Sequence, residues 1–284
     1  MFRDATIDDL AAIRDLLADA NDTPYELARV AEEKCFEDGP SSAPRTIVED
    51  SGARLDGLIT FTAKGVRLLA VRRESRRRGL GSALLQRFDQ QSGTAGRVWI
   101  YGEPGNYYLP GVPEEDRATR AFFERAGYTE DEARAVNLDV DLNRLPHPGA
   151  RGTPAPHRAR LADRTEILEF ITSHFGELWA FESSRAFAND PPTLFIARDG
   201  GRLAGFAAHE ANNRGLAFFG PMGTATAARG RGVGRALLLA SLGDLRDRGF
   251  PRAVISWAAN VPFYESACGA RPFVRMVRFS KVVP

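Results

Sequence analysis

The chain has 284 residues, more than one compact domain usually holds, so two domains are the first expectation. Its 38 Lys and Arg against 37 Asp and Glu leave a net charge of +1, too little basic field to hold nucleic acid. Two cysteines, Cys35 and Cys268, make no disulfide framework. No apolar run approaches the roughly 20 residues of a membrane span and no leader pattern opens the chain, so a cytoplasmic protein is expected.

In chain order, residues 2–6 read as a short strand, and residues 7–20 as a helix with Ile7, Leu10, Ile13, Leu16 and Leu17 on one face. Residues 26–36 read as a second helix. Strands at 45–49 and 55–62 flank the turn Asp50-Ser51-Gly52, and a strand at 66–71 feeds Arg76-Arg77-Arg78-Gly79-Leu80-Gly81-Ser82. A helix at 79–92, a strand at 97–101, a helix at 118–126 and a strand at 133–142 complete the first half. Residues 143–156 hold four prolines and two glycines and read as a linker.

The list then restarts. A strand at 158–161, a helix from 165, and strands at 194–198 and 203–209 lead to a strand at 216–222. That strand feeds Arg229-Gly230-Arg231-Gly232-Val233-Gly234-Arg235, which opens a helix at 232–248. A strand at 253–257, a helix at 261–267 and a strand at 274–282 close the chain. Arg76 and Arg229 lie 153 positions apart, as do Gly79 and Gly232, but Phe122 and Phe263 lie only 141 apart. The first half therefore carries 12 extra residues, which fall within 102–117. The expected division is a first domain at 1–143, a linker at 144–156 and a second domain at 157–284.

A strand, a glycine-basic turn and a helix present main-chain N–H groups at a helix N-terminus, where the dipole also favours an anion. Gly232 and Gly234 lack a Cβ, so a phosphate can come close, and Arg229, Arg231 and Arg235 can close over it. The only lysines are Lys34, Lys64 and Lys281 and none follows a glycine, which excludes a Walker loop. Leu84 and Leu237 stand where a dinucleotide fingerprint needs a third glycine.

The duplicated Arg-x-x-Gly-x-Gly pattern resembles the acyl-CoA loop of the GNAT N-acetyltransferases, and the resemblance covers nearly the whole chain as two tandem domains. It implies an α/β (α+β) fold, each domain a splayed mixed, mostly antiparallel sheet flanked by helices. It implies acetyl-CoA as cofactor, with its diphosphate on Arg76, Arg77, Arg78, Gly79, Leu80, Gly81 and Ser82 in the first half. In the second half the matching residues are Arg229, Gly230, Arg231, Gly232, Val233, Gly234 and Arg235. The pantetheine arm would pair with the main chain at Val71 and at Met222, Gly223 and Thr224.

Asn260-Val261-Pro262-Phe263-Tyr264-Glu265 is similar to the family's final-helix motif. That likeness makes Tyr264 the acid for the departing thiolate and Asn260 a holder of the cofactor amide. The first half has Phe123 in the tyrosine's place, with no proton to give. The asymmetry resembles tandem GNAT enzymes of the mycothiol synthase type, in which the C-terminal half does the chemistry. Glu210, at a strand end near the second loop, is the leading base, with Glu177, Glu182 and His174 as alternatives. Tyr107 and Tyr108, on the extra loop, are candidates to stack on an acceptor; packing anchors are the other reading. Four scattered histidines point to no metal site.

The expected activity is direct transfer of acetyl from acetyl-CoA to a primary amine of a small molecule. An acyl-CoA-binding sensor without turnover and a protein or peptide N-acetyltransferase are the alternatives. The sequence leaves the oligomeric state open.

Overall fold

The computed structural model describes residues 1–91, 96–146 and 154–283; the middle of the expected linker, 147–153, lies outside the described residues. The elements of the first half are β1 (Phe2–Asp4), α1 (Leu10–Ala20), α2 (Ala31–Phe36), β2 (Arg45–Asp50), β3 (Leu55–Thr62), β4 (Gly65–Val71), α3 (Leu80–Gln91), β5 (Gly96–Ile100), β6 (Val112–Pro113), α4 (Arg117–Arg125) and β7 (Thr129–Asp141). Those of the second are β8 (His157–Arg158), α5 (Arg164–Phe175), α6 (Glu177–Arg185), β9 (Leu194–Asp199), β10 (Arg202–His209), β11 (Phe218–Thr224), α7 (Val233–Asp247), β12 (Arg252–Ile255), α8 (Val261–Cys268) and β13 (Arg271–Val283). Contacts divide the chain into unit 1, Met1–Ala135 with Arg275–Pro284, and unit 2, Val136–Val274.

In unit 1 the strands run β1-β2-β3-β4-β5-β13, with β6 beside β13. All neighbours are antiparallel except β4 and β5. Unit 2 repeats the plan as β8-β9-β10-β11-β12-β7, its one parallel pair being β11 and β12. The closing strands come from the far end of the other half. Phe279 pairs with Ile100 in unit 1, whereas Leu138 and Val140 pair with Ile255 and Ala253 in unit 2.

Apolar stripes on the helices account for the cores. Leu84, Leu85 and Phe88 of α3 pack with Ile59, Val98, Ile100 and Phe279 in unit 1. Leu237, Leu238, Leu242 and Leu245 of α7 pack with Leu138, Phe219 and Ile255 in unit 2. A side chain of this size contributes roughly 1.5–3 kcal/mol when fully buried, so these stripes fix both helices on their sheets. The opposite face of unit 2 is closed by Ile167, Ile171, Ala180 and Phe187 of the α5–α6 segment.

Several local elements differ from expectation. The helix expected from residue 26 starts at Ala31, because Leu27–Val30 form a 3-10 turn. The strand expected at 158–161 is cut to His157–Arg158 by a 3-10 turn at Leu161–Asp163. The helix α6 has no strong periodicity in the sequence, and Leu178 and Trp179 on it remain exposed. No described helix is long and apolar enough to cross a membrane.

Both sheets splay at their parallel pair. The ladder between β4 and β5 has only the pairs Gly65–Trp99 and Val66–Ile100, after which β4 continues to Val71. That between β11 and β12 has Phe218–Val254 and Phe219–Ile255, after which β11 continues to Thr224. Each unit thus holds a wedge between two strands that part company, beside the turn leading into its longest helix.

Candidate active site

The two glycine-basic turns share one backbone. In unit 1, β4 ends at Val71, a 3-10 turn spans Arg73–Ser75, and α3 starts at Leu80. In unit 2 the same steps fall at Thr224, Thr226–Ala228 and Val233. Left-handed residues recur in register, Arg77 (φ 63°) and Gly79 (φ 84°) in one, Gly230 (φ 75°) and Gly232 (φ 78°) in the other. This conformation costs an ordinary residue about 1–2 kcal/mol and glycine almost nothing, so only the second turn adopts it unstrained.

Gly232 is the N-cap of α7 and has no side chain to satisfy the first turn, whose N–H groups lack intrahelical acceptors. A Cβ placed on Gly79 or Gly230 would meet nothing within 4 Å, so both turns are open above the main chain. Residues 229–232 are exposed and Arg235 half-buried. Donors, dipole, open space and cations together fit a phosphate or diphosphate.

The arginines divide into two roles. Arg76 Nε donates to Val71 O at 3.0 Å, and Arg229 Nε to Thr224 O at 3.4 Å. The first arginine of each turn therefore caps the end of its own strand. Arg76 is further held by Ala20 O at 2.8 Å and Asp22 at 2.6 Å, and Arg231 by Asp199. Arg77 and Arg78 lie exposed on the turn of unit 1.

Strand, turn and final helix meet at Gly234 in unit 2. Its Cβ position lies 3.2 Å from Thr224 Oγ1, 3.6 Å from Met222 Cε and 3.7 Å from the Phe263 ring. The Cβ position of Gly81 in unit 1 lies 3.6 Å from the Phe122 ring and 3.7 Å from the Val71 side chain. The next residues match as well: Phe263 and Tyr264 lie 5.1 Å apart at 70°, and Phe122 and Phe123 lie 5.1 Å apart at 68°. Tyr264 thus corresponds to Phe123, a fully buried ring packed on Tyr101, Tyr128 and Phe279. Burial, and secondarily the Cys268 thiol, push the Tyr264 phenol up to about 12, so it stays protonated at neutral pH. Asn260 is the N-cap of α8; its Oδ1 accepts from Phe263 N–H at 3.3 Å.

The remaining predicted residues take varied places. Met222, Gly223 and Thr224 pair with Ala207, Phe206 and Gly205 of β10 on one edge and face the wedge with the other. Glu210, just beyond β10, has φ 52° and is 8% exposed; its carboxylate accepts from Gly215 N–H and its N–H donates to Phe218 O at 2.8 Å. Glu182 is buried on α6, while Glu177 and His174 are exposed. Tyr107 and Tyr108 belong to unit 1 and are 7% and 4% exposed. The Tyr108 hydroxyl donates to Tyr25 O at 3.0 Å and lies 2.5 Å from Thr23 Oγ1, which anchors the extra loop inward.

Sequence reasoning passed over Arg67 and Glu103, whose side chains are 0% and 7% exposed and 2.8 Å apart in unit 1. It also passed over Phe175, whose ring lies 2.5 Å from where a Gly223 Cβ would sit and stacks on Trp179 at 5.5 Å. Aligning the halves at an offset of 153 sets Arg67 against Gly220, the signal that singles out this position.

Comparison with known proteins agrees with this geometry. Residues 164–270 match the model of the acetyltransferase (GNAT) family. A mycothiol acetyltransferase of Geodermatophilus obscurus is 28% identical over 281 residues, covering 87% of this chain and 84% of that protein. One from Mycolicibacterium vanbaalenii is 28% identical over 259 residues, covering 85% and 81%. Among solved structures, a GCN5-related N-acetyltransferase from Sphaerobacter thermophilus aligns with a TM-score of 0.72 at 17% identity, over 100% of this chain and 96% of that one. A tandem GNAT protein from the clavulanic acid biosynthesis pathway aligns with a TM-score of 0.72 at 19% identity, over 100% and 99%. With the strand order repeated in both units and relatives spanning most of its length, the chain is similar to tandem, two-domain acetyltransferases of the GNAT family.

Proposed function

We propose that unit 2 transfers acetyl from acetyl-CoA to a primary amine of a small molecule, directly and within one ternary complex. The observation that carries this reading is the convergence at Gly234 of the β11 edge, the left-handed glycine turn and the aromatic pair of α8. The turn would hold the diphosphate through the N–H groups of residues 232–235, with Arg231 and Arg235 nearby. The open edge of β11 at Met222, Gly223 and Thr224 would pair with the amides of the pantetheine arm. Asn260, oriented by the helix it caps, would hold a further amide of that arm.

The chemistry needs a neutral amine, a stabilised oxyanion and a proton for the thiolate. Tyr264 fits the last requirement: its phenol is protonated at neutral pH and can donate as the carbon–sulfur bond breaks. Main-chain N–H groups beside the parting strands would receive the oxyanion. Glu210, fixed by Gly215 N–H, would take the amine's proton directly or through water. The curated relatives' name, mycothiol acetyltransferase, supports a small-molecule acceptor over a protein.

Tyr264→Phe tests the assignment. Its kcat should fall by about 100-fold or more with KM for acetyl-CoA within roughly twofold, because only the proton donor is removed. An equal loss in both parameters would remove Tyr264 from the acid's role. Robust CoA release with small amines, and none with peptides alone, separates this reading from a sensor or a protein-modifying enzyme.

A further inference from the structure

The two wedges differ at their apex. Arg67 is the first residue of β4 beyond its last pair with β5, Val66–Ile100, and Glu103 lies just past the end of β5. Their side chains join across the opening: Arg67 Nε donates to Glu103 Oε2 at 2.9 Å, and Nη2 lies 2.8 Å from the same oxygen. Arg67 Nη1 donates to Lys34 O at 3.1 Å and Glu37 O at 2.9 Å, and Thr62 Oγ1 donates to Glu103 Oε1 at 3.1 Å. Gly39 lets its strand of chain pass over the pair, since a Cβ there would lie 2.7 Å from both partners.

Unit 2 has neither group. Phe219–Ile255 is the last pair of its parallel ladder, so Gly220 takes the place of Arg67 and Ala258 that of Glu103. A Cβ on Gly220 would meet nothing within 4 Å. The same point of the fold is thus filled by an ion pair in one unit and is open space in the other.

We infer that the Arg67–Glu103 pair is a staple that closes the wedge of unit 1 to any acyl-pantetheine arm, and that only the apex at Gly220 admits a thioester. This rests on the reading of acetyl-CoA as acyl donor. A buried, hydrogen-bonded ion pair cannot be pushed aside without leaving both charges unpaired, so an arm cannot displace it by side-chain rotation alone. The staple also accounts for Phe123: a wedge that receives no thioester has no use for a proton donor beside it. The stretch that carries the extra residues of the first half, 102–117, begins at this pair, and its Asn106 is fully buried.

Amide hydrogen exchange of the intact protein with and without acetyl-CoA decides the matter. Protection should appear saturably on residues 218–225 and not on residues 65–71. Comparable protection of 65–71 would overturn the staple, while leaving the cofactor reading in place. Protection of neither strand removes the cofactor reading and the staple with it. A variant carrying Arg67→Ser and Glu103→Ser together removes both charges at once. If it folds, protection on 65–71 should appear and turnover should stay within about twofold of the parent. A folded double variant with 65–71 still unprotected also overturns the staple, and if it does not fold, the exchange pattern of the parent chain decides alone.

Discussion

Arg77 and Gly230 occupy the same point of the repeated turn, and only one is suited to it. Arg77 holds φ 63° with a Cβ in the way, whereas Gly230 adopts φ 75° freely. Arg77→Gly should therefore raise the unfolding free energy of unit 1, by about 0.5–1 kcal/mol once the extra freedom of glycine in the unfolded chain is subtracted. Denaturant titration measures it, and a destabilised variant would mean that the Arg77 side chain holds the turn by contacts outweighing its strain.

His209 is another residue whose surroundings set a measurable property. It is fully buried and its Nε2–H donates to Asp244 Oδ2 at 2.8 Å, while Arg158 and Arg248 bind the same carboxylate. Burial lowers the His209 pKa, against the pull of Asp244, so the unfolded chain takes up this proton first. Burial alone would raise the Asp244 carboxyl, but the hydrogen bonds from His209, Arg158 and Arg248 outweigh it and hold it well below the usual carboxylate range. Both shifts have the same sign: stability is greatest above the unfolded His value of 6.5 and is lost as pH falls, first through His209 and then below 3.8 through Asp244. His209→Gln, which can keep the bond to Asp244, should flatten the decline between about pH 6.5 and 5, a slope of at most about 1.4 kcal/mol per pH unit. An unchanged slope in denaturant titrations across that range would assign the decline to other groups.

At the scale of elements, much was legible from periodicity. The stripe of α3 and the leucines of α7 announced amphipathic helices, and both glycine turns sat where strand gave way to helix. Less legible was α5–α6, whose packing depends on Phe175 entering the space left by Gly223. Glycine in a strand signals close approach of something but not of what, so the ring above it was invisible until the chain was folded. Tyr107 and Tyr108 were equally ambiguous, since tyrosine serves as a packing anchor and as a stacking platform with the same sequence signature. Burial at 7% and 4%, with the Tyr108 phenol bound to Tyr25, makes them the anchors of the extra loop.

The closing strand β13 carries a prediction of its own. Residues 279–283 pair with β5, and Val277 and Phe279 enter the core of unit 1. A chain ending at Val274 would leave β5 as an open edge and remove both side chains. Loss of cooperative unfolding in unit 1, read by hydrogen exchange of β3 and β4, is the expected outcome. Parent-like protection of those strands would show that β13 is dispensable.

For the whole molecule, the exchange of closing strands makes each unit depend on a distant part of the chain. Residues 1–143 expressed alone would lack the strand that pairs with β5 and would retain 136–141, whose partner β12 is missing. Aggregation or self-association, seen by light scattering, is expected of this half, and a folded monomer would contradict it. The same scale separates the units chemically, for the repeat preserved the turn and the aromatic pair twice while placing an ion pair at one apex and a glycine at the other.

By itself the sequence determined the tandem architecture, the two glycine-basic turns and the unequal pair Phe123 and Tyr264, because these rest on spacing and residue type within short windows. Only the tertiary structure decided which strand closes which sheet, where Tyr108 points and what fills each wedge. Those depend on groups far apart in the chain, such as Arg67 and Glu103 or Ile100 and Phe279, whose meeting no local pattern encodes.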